Sequence, residues 1–361
     1  MTDSSPPFDA LSPLLKKALG TTRVEIEEMA GGASTRRFFR VEAPDGQSAV
    51  AMYVPLPSQE LSKAHETGRR WPFLEVRDLL ASRAIRVPAL LAEACESGWL
   101  LVEDLGETLA QHLDHSPDDK QALYQRAVRD LANAQRSLET LPDHSIVLQR
   151  AFDADLLRWE IDHFREWALE ARGITLSRDE QAVFGHATEY LASTIAAWPR
   201  GFVHRDYQSR NLMVLPDDSG AHALAWIDFQ DAMLGPRVYD LVALLGDSYQ
   251  SFDRDFVEAR LSEFAQHMGL DAETEAAVAR EFDMVTVQRK LKDAGRFVFI
   301  ERKNKNPSFL KFVEPTIEKA RTSLARLRDD AQLSPLAALL DRVCPPQQPL
   351  NQPKNGAGLS A

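Results

Sequence analysis

Two neighbouring stretches decide how this chain is read: HRDYQSRNLMV, residues 204–214, and IDFQDAMLGPRVYDLVALLGDSY, residues 227–249. Asn211 follows Asp206 by five residues, and an apolar run, Leu224–Ile227, then ends in Asp228-Phe229-Gln230. Phosphoryl transfer asks little covalent work of a protein. It needs one carboxylate to orient and deprotonate the attacking hydroxyl, and oxygen ligands to hold Mg²⁺ against the phosphates. Asp–x4–Asn places a base and an amide ligand on one loop, and a strand-terminal Asp supplies the second metal ligand. Either piece alone would read as loop-capping polar residues. Their combination at this spacing specifies a site.

Working outward, PDDSG between the two stretches reads as a hairpin turn. Upstream, 117–139, 153–172 and 178–198 carry apolar residues three and four apart and predict helices. One of them continues a stripe of Phe152, Leu156, Trp159, Phe164 and Trp167 that reads as core. Downstream, 239–343 returns to helix. Further upstream the texture changes to short strands, VEIEEMA, RRFFRVEAP and SAVAMYVP, with Gly31-Gly32 and Pro44-Asp45-Gly46 as turns. A helix over 71–84 follows, then two strands around a turn at Ser97-Gly98. Leu11, Leu14, Leu15 and Leu19 predict one short amphipathic helix at the start. The expected architecture is α+β with two lobes. An N-terminal extension (1–21) precedes a small β-rich N-lobe (22–106). A larger helical C-lobe (107–343) and a Pro/Gln/Gly-rich disordered tail (344–361) follow.

The 361 residues hold 42 Lys plus Arg against 54 Asp plus Glu, a net charge of −12. That balance argues against a nucleic-acid partner, which would need a basic face. A hydrophobic share of 44% is ordinary for a globular chain. No run approaches the ~18 apolar residues of a membrane span, and the first residues lack a signal-peptide pattern. Cys95 and Cys344 are isolated and read as reduced thiols. The expectation is a cytoplasmic, monomeric protein with a small-molecule partner.

The two opening stretches resemble the aminoglycoside-phosphotransferase-like branch of the protein-kinase-like fold. Within it they are most similar to bacterial cell-wall-recycling kinases that phosphorylate the anomeric hydroxyl of N-acetylmuramate and N-acetylglucosamine. GGASTRRFFRV (31–41), VPALLAEACESGWLLVEDLG (87–106) and QRKLKDAGRFVFI (288–300) resemble that group's segments in the same order. The resemblance covers roughly residues 22–320. It implies an ATP- and Mg²⁺-dependent kinase in peptidoglycan recycling, with Asp206 as catalytic base and His204 and Arg205 bracing its loop. Asn211 and Asp228 would bind magnesium. Gly31, Gly32 and Ser34 would form the hairpin over the nucleotide phosphates, where small residues let backbone amides approach anionic oxygens. Glu103, Asp104 and Leu105 would form the hinge that pairs with adenine, and Asp240 would brace the catalytic loop or cap a helix.

One departure stands out. The third strand, SAVAMYVP, has Met52 and Tyr53 where kinases carry a phosphate-binding lysine. Arg36 and Arg37 are the candidate replacements, because guanidinium binds phosphate oxygens bidentately. The acceptor side is expected at Arg210, Gln288, Arg289 and Lys292, with Arg296 nearby. Positive charges at helical spacing suit an anionic or neutral sugar better than a polycation. Two alternatives stay open: another alcohol acceptor (aminoglycoside, choline, homoserine or a different sugar), and a nucleotide-binding pseudokinase that serves as an interaction module.

Overall fold

The structure, a computed structural model, describes residues 6–29, 35–55, 69–216, 222–248 and 250–345. Five antiparallel strands form one sheet in the order β1-β2-β3-β5-β4: β1 Glu25–Glu28, β2 Arg37–Glu42, β3 Ser48–Tyr53, β4 Leu90–Ala94 and β5 Trp99–Glu103. The period of two along each strand divides its side chains between faces. Phe39, Val41, Ala49, Ala51, Tyr53, Trp99 and Leu101 form one apolar cluster with Leu11, Leu14, Leu15 and Leu19. Those leucines belong to or adjoin helix α1, Ser12–Leu19. The segment set apart in sequence as an extension therefore covers one face of the sheet. Trp99 ties it down by donating Nε1–H to Pro7 O at 3.1 Å.

Gly98 closes the β4–β5 turn at φ +82°, and a Cβ there would stand 2.5 Å from Val54 O. Helix α2, Pro72–Ser82, begins with proline, whose missing N–H costs nothing in a first turn. It buries Phe73, Leu74, Val76, Leu79 and Leu80, the face its periodicity predicts.

The remaining elements are mostly helical: α3 Leu109–His115, α4 Lys120–Ser137, α5 Ala154–His163, α6 Arg178–Ala197, α7 Tyr239–Leu245, α8 Arg254–Met268, α9 Ala272–Asn304, α10 Val313–Arg326 and α11 Ser334–Val343. Two small antiparallel pairs interrupt them. β7 (Leu212–Pro216) pairs with β8 (His222–Trp226) as the expected hairpin. β6 (Arg200–Val203) pairs with β9 (Met233–Pro236), a strand hidden from the sequence reading inside MLGP. The residues of the hairpin turn itself, 217–221, and the expected tail from 346 lie outside the described residues.

The chain divides into two compact units, 1–153 with 195–285, and 154–194 with 286–361. In the second unit the anticipated aromatic stripe is displaced. Leu157, Ile161, Phe164 and Ala168 are buried, while Trp159 is 58% exposed. The stripe was phased on Phe152, which lies before α5 begins at Ala154, so its spacing put Trp159 on the wrong face of the helix; a π segment follows at Phe164–Leu169.

Candidate active site

The catalytic loop leaves β6 at Val203 and returns into β7 at Leu212. Its shape is imposed from below by Asp240, fully buried in the first turn of α7. One carboxylate oxygen accepts the amide of His204 at 2.7 Å and the other that of Arg205 at 3.0 Å. Asp240 therefore braces the loop, as the resemblance implied; it lies inside the helix and does not cap it. Arg205 sits at φ +81°, a left-handed conformation that costs a non-glycine residue about 1–3 kcal/mol. The two charge-assisted bonds to Asp240 hold that turn in place.

The rest of the loop is anchored as firmly. Tyr207 is buried and donates its hydroxyl to Ala127 O at 2.9 Å. Ser209 donates to Asp247 Oδ2 at 2.7 Å, a wholly buried pair. Asp206 donates its amide to His204 Nδ1 and receives Asn211 Nδ2 on its own carbonyl at 2.8 Å. That bond commits the Asn211 amide nitrogen to the loop, so any ion held by this side chain would meet Oδ1. Asp247 and Ser209 were missed in sequence, although both stand in the quoted stretches; nothing in their spacing announces a contact.

β8 runs from the hairpin into Asp228, and Ile227 N bonds Asn211 O at 3.0 Å, so the two candidate metal ligands are joined through backbone. Asp228 is the second functional residue at positive φ, +62°. Burial raises its pKa above the usual carboxylate value. A hydrogen bond from Gln230 opposes that shift, while the nearby charges of Asp206 and Asp231 add to it. Phe229 is buried and stacks on Phe73 of α2 at 5.1 Å, which fixes the Asp228 turn to the helix beside the sheet. Glu75 of α2 has no third-strand lysine to meet. It pairs with Arg69 at 2.7 Å and accepts Ile146 N at 2.7 Å.

The two candidate arginines part company. Arg36 Nη1 lies 3.9 Å from Asp228 Oδ1 with its side chain only 10% exposed. Arg37 turns to the opposite face, paired with Glu28 at 2.7 Å and stacked over Phe39. Arg37 opens β2 and Arg36 immediately precedes it, so the two adjacent side chains leave the backbone in opposite directions. Gly31, Gly32 and Ser34 lie outside the described residues. The hinge is tied by its own charges. Glu103 pairs with Arg86, Asp104 accepts Arg40 at 2.8 Å, and Leu105 packs with Met213 and Ala225 of the hairpin. Arg40 was not singled out in the sequence; its even spacing from Arg36, just before β2, was the available signal.

Arg210 is exposed on the catalytic loop. The other candidate acceptor residues belong to the second unit and are far less solvated than a basic helix face would be. Gln288 is buried and donates to Glu160 at 3.0 Å. Lys290, Lys292 and Arg289 approach Asp293 at 2.9, 3.2 and 3.9 Å.

Oxygen donors on one braced loop, a crowded pair of carboxylates and an arginine drawn up to one of them are the groups expected of a phosphotransferase of kinase-like fold. Residues 25–280 match the phosphotransferase enzyme family. The N-acetylmuramate/N-acetylglucosamine kinase of Pseudomonas aeruginosa is 32% identical over 341 residues, 92% of this chain and 94% of that one. The protein of the same name from Neisseria meningitidis is 30% identical over 322 residues, 86% and 88% of the two chains. Among solved structures, a microcompartment-associated aminopropanol kinase superposes with a TM-score of 0.62 at 15% identity, covering 90% of this chain and 98% of that one. The gentamicin–APH(2″)-IIa complex gives 0.57 at 14%, covering 92% and 99%. These two establish the fold. The chain belongs to the phosphotransferase enzyme family, and its chemistry is phosphoryl transfer to an alcohol.

Proposed function

We propose that the chain is an ATP-dependent sugar kinase that phosphorylates the anomeric C1 hydroxyl of N-acetylmuramate or N-acetylglucosamine, yielding the sugar 1-phosphate. The observation that carries the reading is the braced loop that sets Asp206 beside Asn211 and Asp228, in a chain about one-third identical to kinases named for these two sugars. Asp206 orients the C1 hydroxyl and accepts its proton as the oxygen attacks the γ-phosphorus in line. Phosphorus–oxygen bond formation is balanced by loss of ADP. Arg36 takes the charge-neutralising place of the absent strand lysine.

Asn211 Oδ1 and Asp228 fit a hard divalent ion. Both are oxygen donors, and the Asp228 carboxylate is crowded by the like charges of Asp206 and Asp231 while still open to solvent. Mg²⁺ bound there would neutralise phosphate oxygens. The hinge, Glu103 to Leu105, receives the adenine edge. Arg210, Gln288, Arg289 and Lys292 bind the acceptor, and the lysine- and arginine-rich segment suits the lactyl carboxylate of N-acetylmuramate.

The test is incubation with ATP, Mg²⁺ and each sugar, with the product followed by phosphorus-31 and proton NMR. A phosphorus coupling on the anomeric proton is expected. A product phosphorylated at another hydroxyl, or turnover only with aminoglycoside, choline or homoserine, overturns the acceptor assignment.

A further inference from the structure

Away from the catalytic carboxylates, three imidazoles and two carboxylates converge just past the hinge. His112 of α3 is 7% exposed, and both of its ring nitrogens face carboxylates. Nδ1 meets Glu107 Oε1 at 2.9 Å and Nε2 meets Asp119 Oδ2 at 2.8 Å. Glu107 also takes His115 Nε2 at 2.8 Å through its other oxygen. His222, the first residue of β8, brings Nε2 to 3.5 Å from Asp119 Oδ2. A neutral imidazole has one N–H and one lone pair. With Glu107 accepting the Nδ1 proton, the Nε2 lone pair would point straight at a carboxylate oxygen. Either a second proton or a cation must stand between them.

We propose that His112 Nε2, Asp119 Oδ2 and His222 Nε2 form a binding site for a borderline divalent transition metal, Zn²⁺ foremost, with Glu107 behind His112 as the orienting carboxylate. The three donor atoms already lie within 4.8 Å of one another. A tetrahedral ion with bonds of ~2.0–2.1 Å needs donors roughly 3.3 Å apart. The Asp119–His222 distance is close to that value, and the Asp119–His112 contact has only to open by about half an ångström. Two imidazoles with one carboxylate select Zn²⁺ and its neighbours over Mg²⁺, which demands an octahedron of oxygens. A carboxylate on the far nitrogen of a ligating histidine is the usual arrangement that fixes its tautomer. The ion would staple the hinge-side helix to the hairpin: Glu107 O already accepts Val214 N, and β8 leads on to Asp228. The site is independent of the acceptor assignment above.

The experiment uses the EDTA-treated full chain in excess Mg²⁺, titrated with Zn²⁺ against a chromophoric chelator, with Co²⁺ as an optical probe. One ion per chain, a raised Tm and the visible bands of four-coordinate Co²⁺ are expected. His222→Asn and Asp119→Asn should each weaken binding at least tenfold, and Glu107→Gln by roughly tenfold. Asp228→Asn should leave binding intact, which separates this site from the catalytic oxygens. Absence of stoichiometric binding, equal affinity in His222→Asn, or loss of binding in Asp228→Asn overturns the proposal.

Discussion

Asp228 and Asp293 are both aspartates among charged neighbours, one in each compact unit, and their surroundings push them in opposite directions. Burial lifts Asp228, and the charges of Asp206 and Asp231 lift it further against the opposing pull of Gln230 and Arg36. Burial also acts to lift Asp293, but Lys290, Lys292 and Arg289 outweigh it and hold the carboxyl far below the usual range. A carboxylate crowded by its own kind is poised for a cation. One ringed by cations is already a structural counter-ion. The same residue type is thus crowded by acids in one unit and neutralised by cations in the other.

Substitutions separate the two roles. The largest effect is expected from Asp206→Asn, which removes the proton acceptor. Its kcat should fall by about a thousandfold, some 4 kcal/mol of barrier, while the urea midpoint stays where it was. Asp293→Asn should instead act chiefly on stability and cost about 3 kcal/mol of folding free energy, because three largely buried cations lose a shared partner. Asp228→Asn, relieved of like-charge crowding, should unfold no more readily than the wild type. If Asp293→Asn is as stable as Asp228→Asn, the contrast between the two aspartates fails.

A smaller effect tests the arginine that approaches Asp228. Arg36→Ala should raise the nucleotide KM by about tenfold, with Arg36→Lys restoring part of the loss through charge alone. Arg37→Ala should change it by less than about twofold, since that side chain lies on the other face with Glu28. Equal effects from the two would mean that the loss of the strand lysine is compensated elsewhere.

That split shows what a sequence can and cannot give. Adjacency at the start of an expected strand suggests that Arg36 and Arg37 face opposite ways, but not which face looks toward Asp228; the packing of α1 over Phe39 and Tyr53 decides that. The catalytic loop was legible because its chemistry is compressed into eight residues, His204 to Asn211. Its braces were not, because Ser209 and Asp247 meet across 38 residues. The basic run at 288–296 was read by its cations alone, although Asp293 stands at i+4 from Arg289 and i+3 from Lys290. The histidine cluster needs β8 to deliver His222 to α3, a contact no local spacing encodes.

The smallest effect concerns the hinge, whose Glu103–Arg86 ion pair is partly exposed. The hydrogen-bonded Arg86 guanidinium holds Glu103 below its ordinary pKa, helped by the Ala89 amide and opposed by partial burial. A folded-state pKa below the unfolded one stabilises the protein above the unfolded value, about 4.5, and that contribution disappears as pH falls through the folded value. Glu103→Gln should therefore lower stability by about 0.5 kcal/mol or less at neutral pH, given that both partners are roughly one-third exposed or more. The difference from wild type should close as pH is taken below about 4.5 and should shrink in high salt, as followed by thermal melts across pH. A gap that persists at low pH would mean that Glu103 acts through packing and its backbone bonds to Ala89, and that the charge on the hinge contributes nothing.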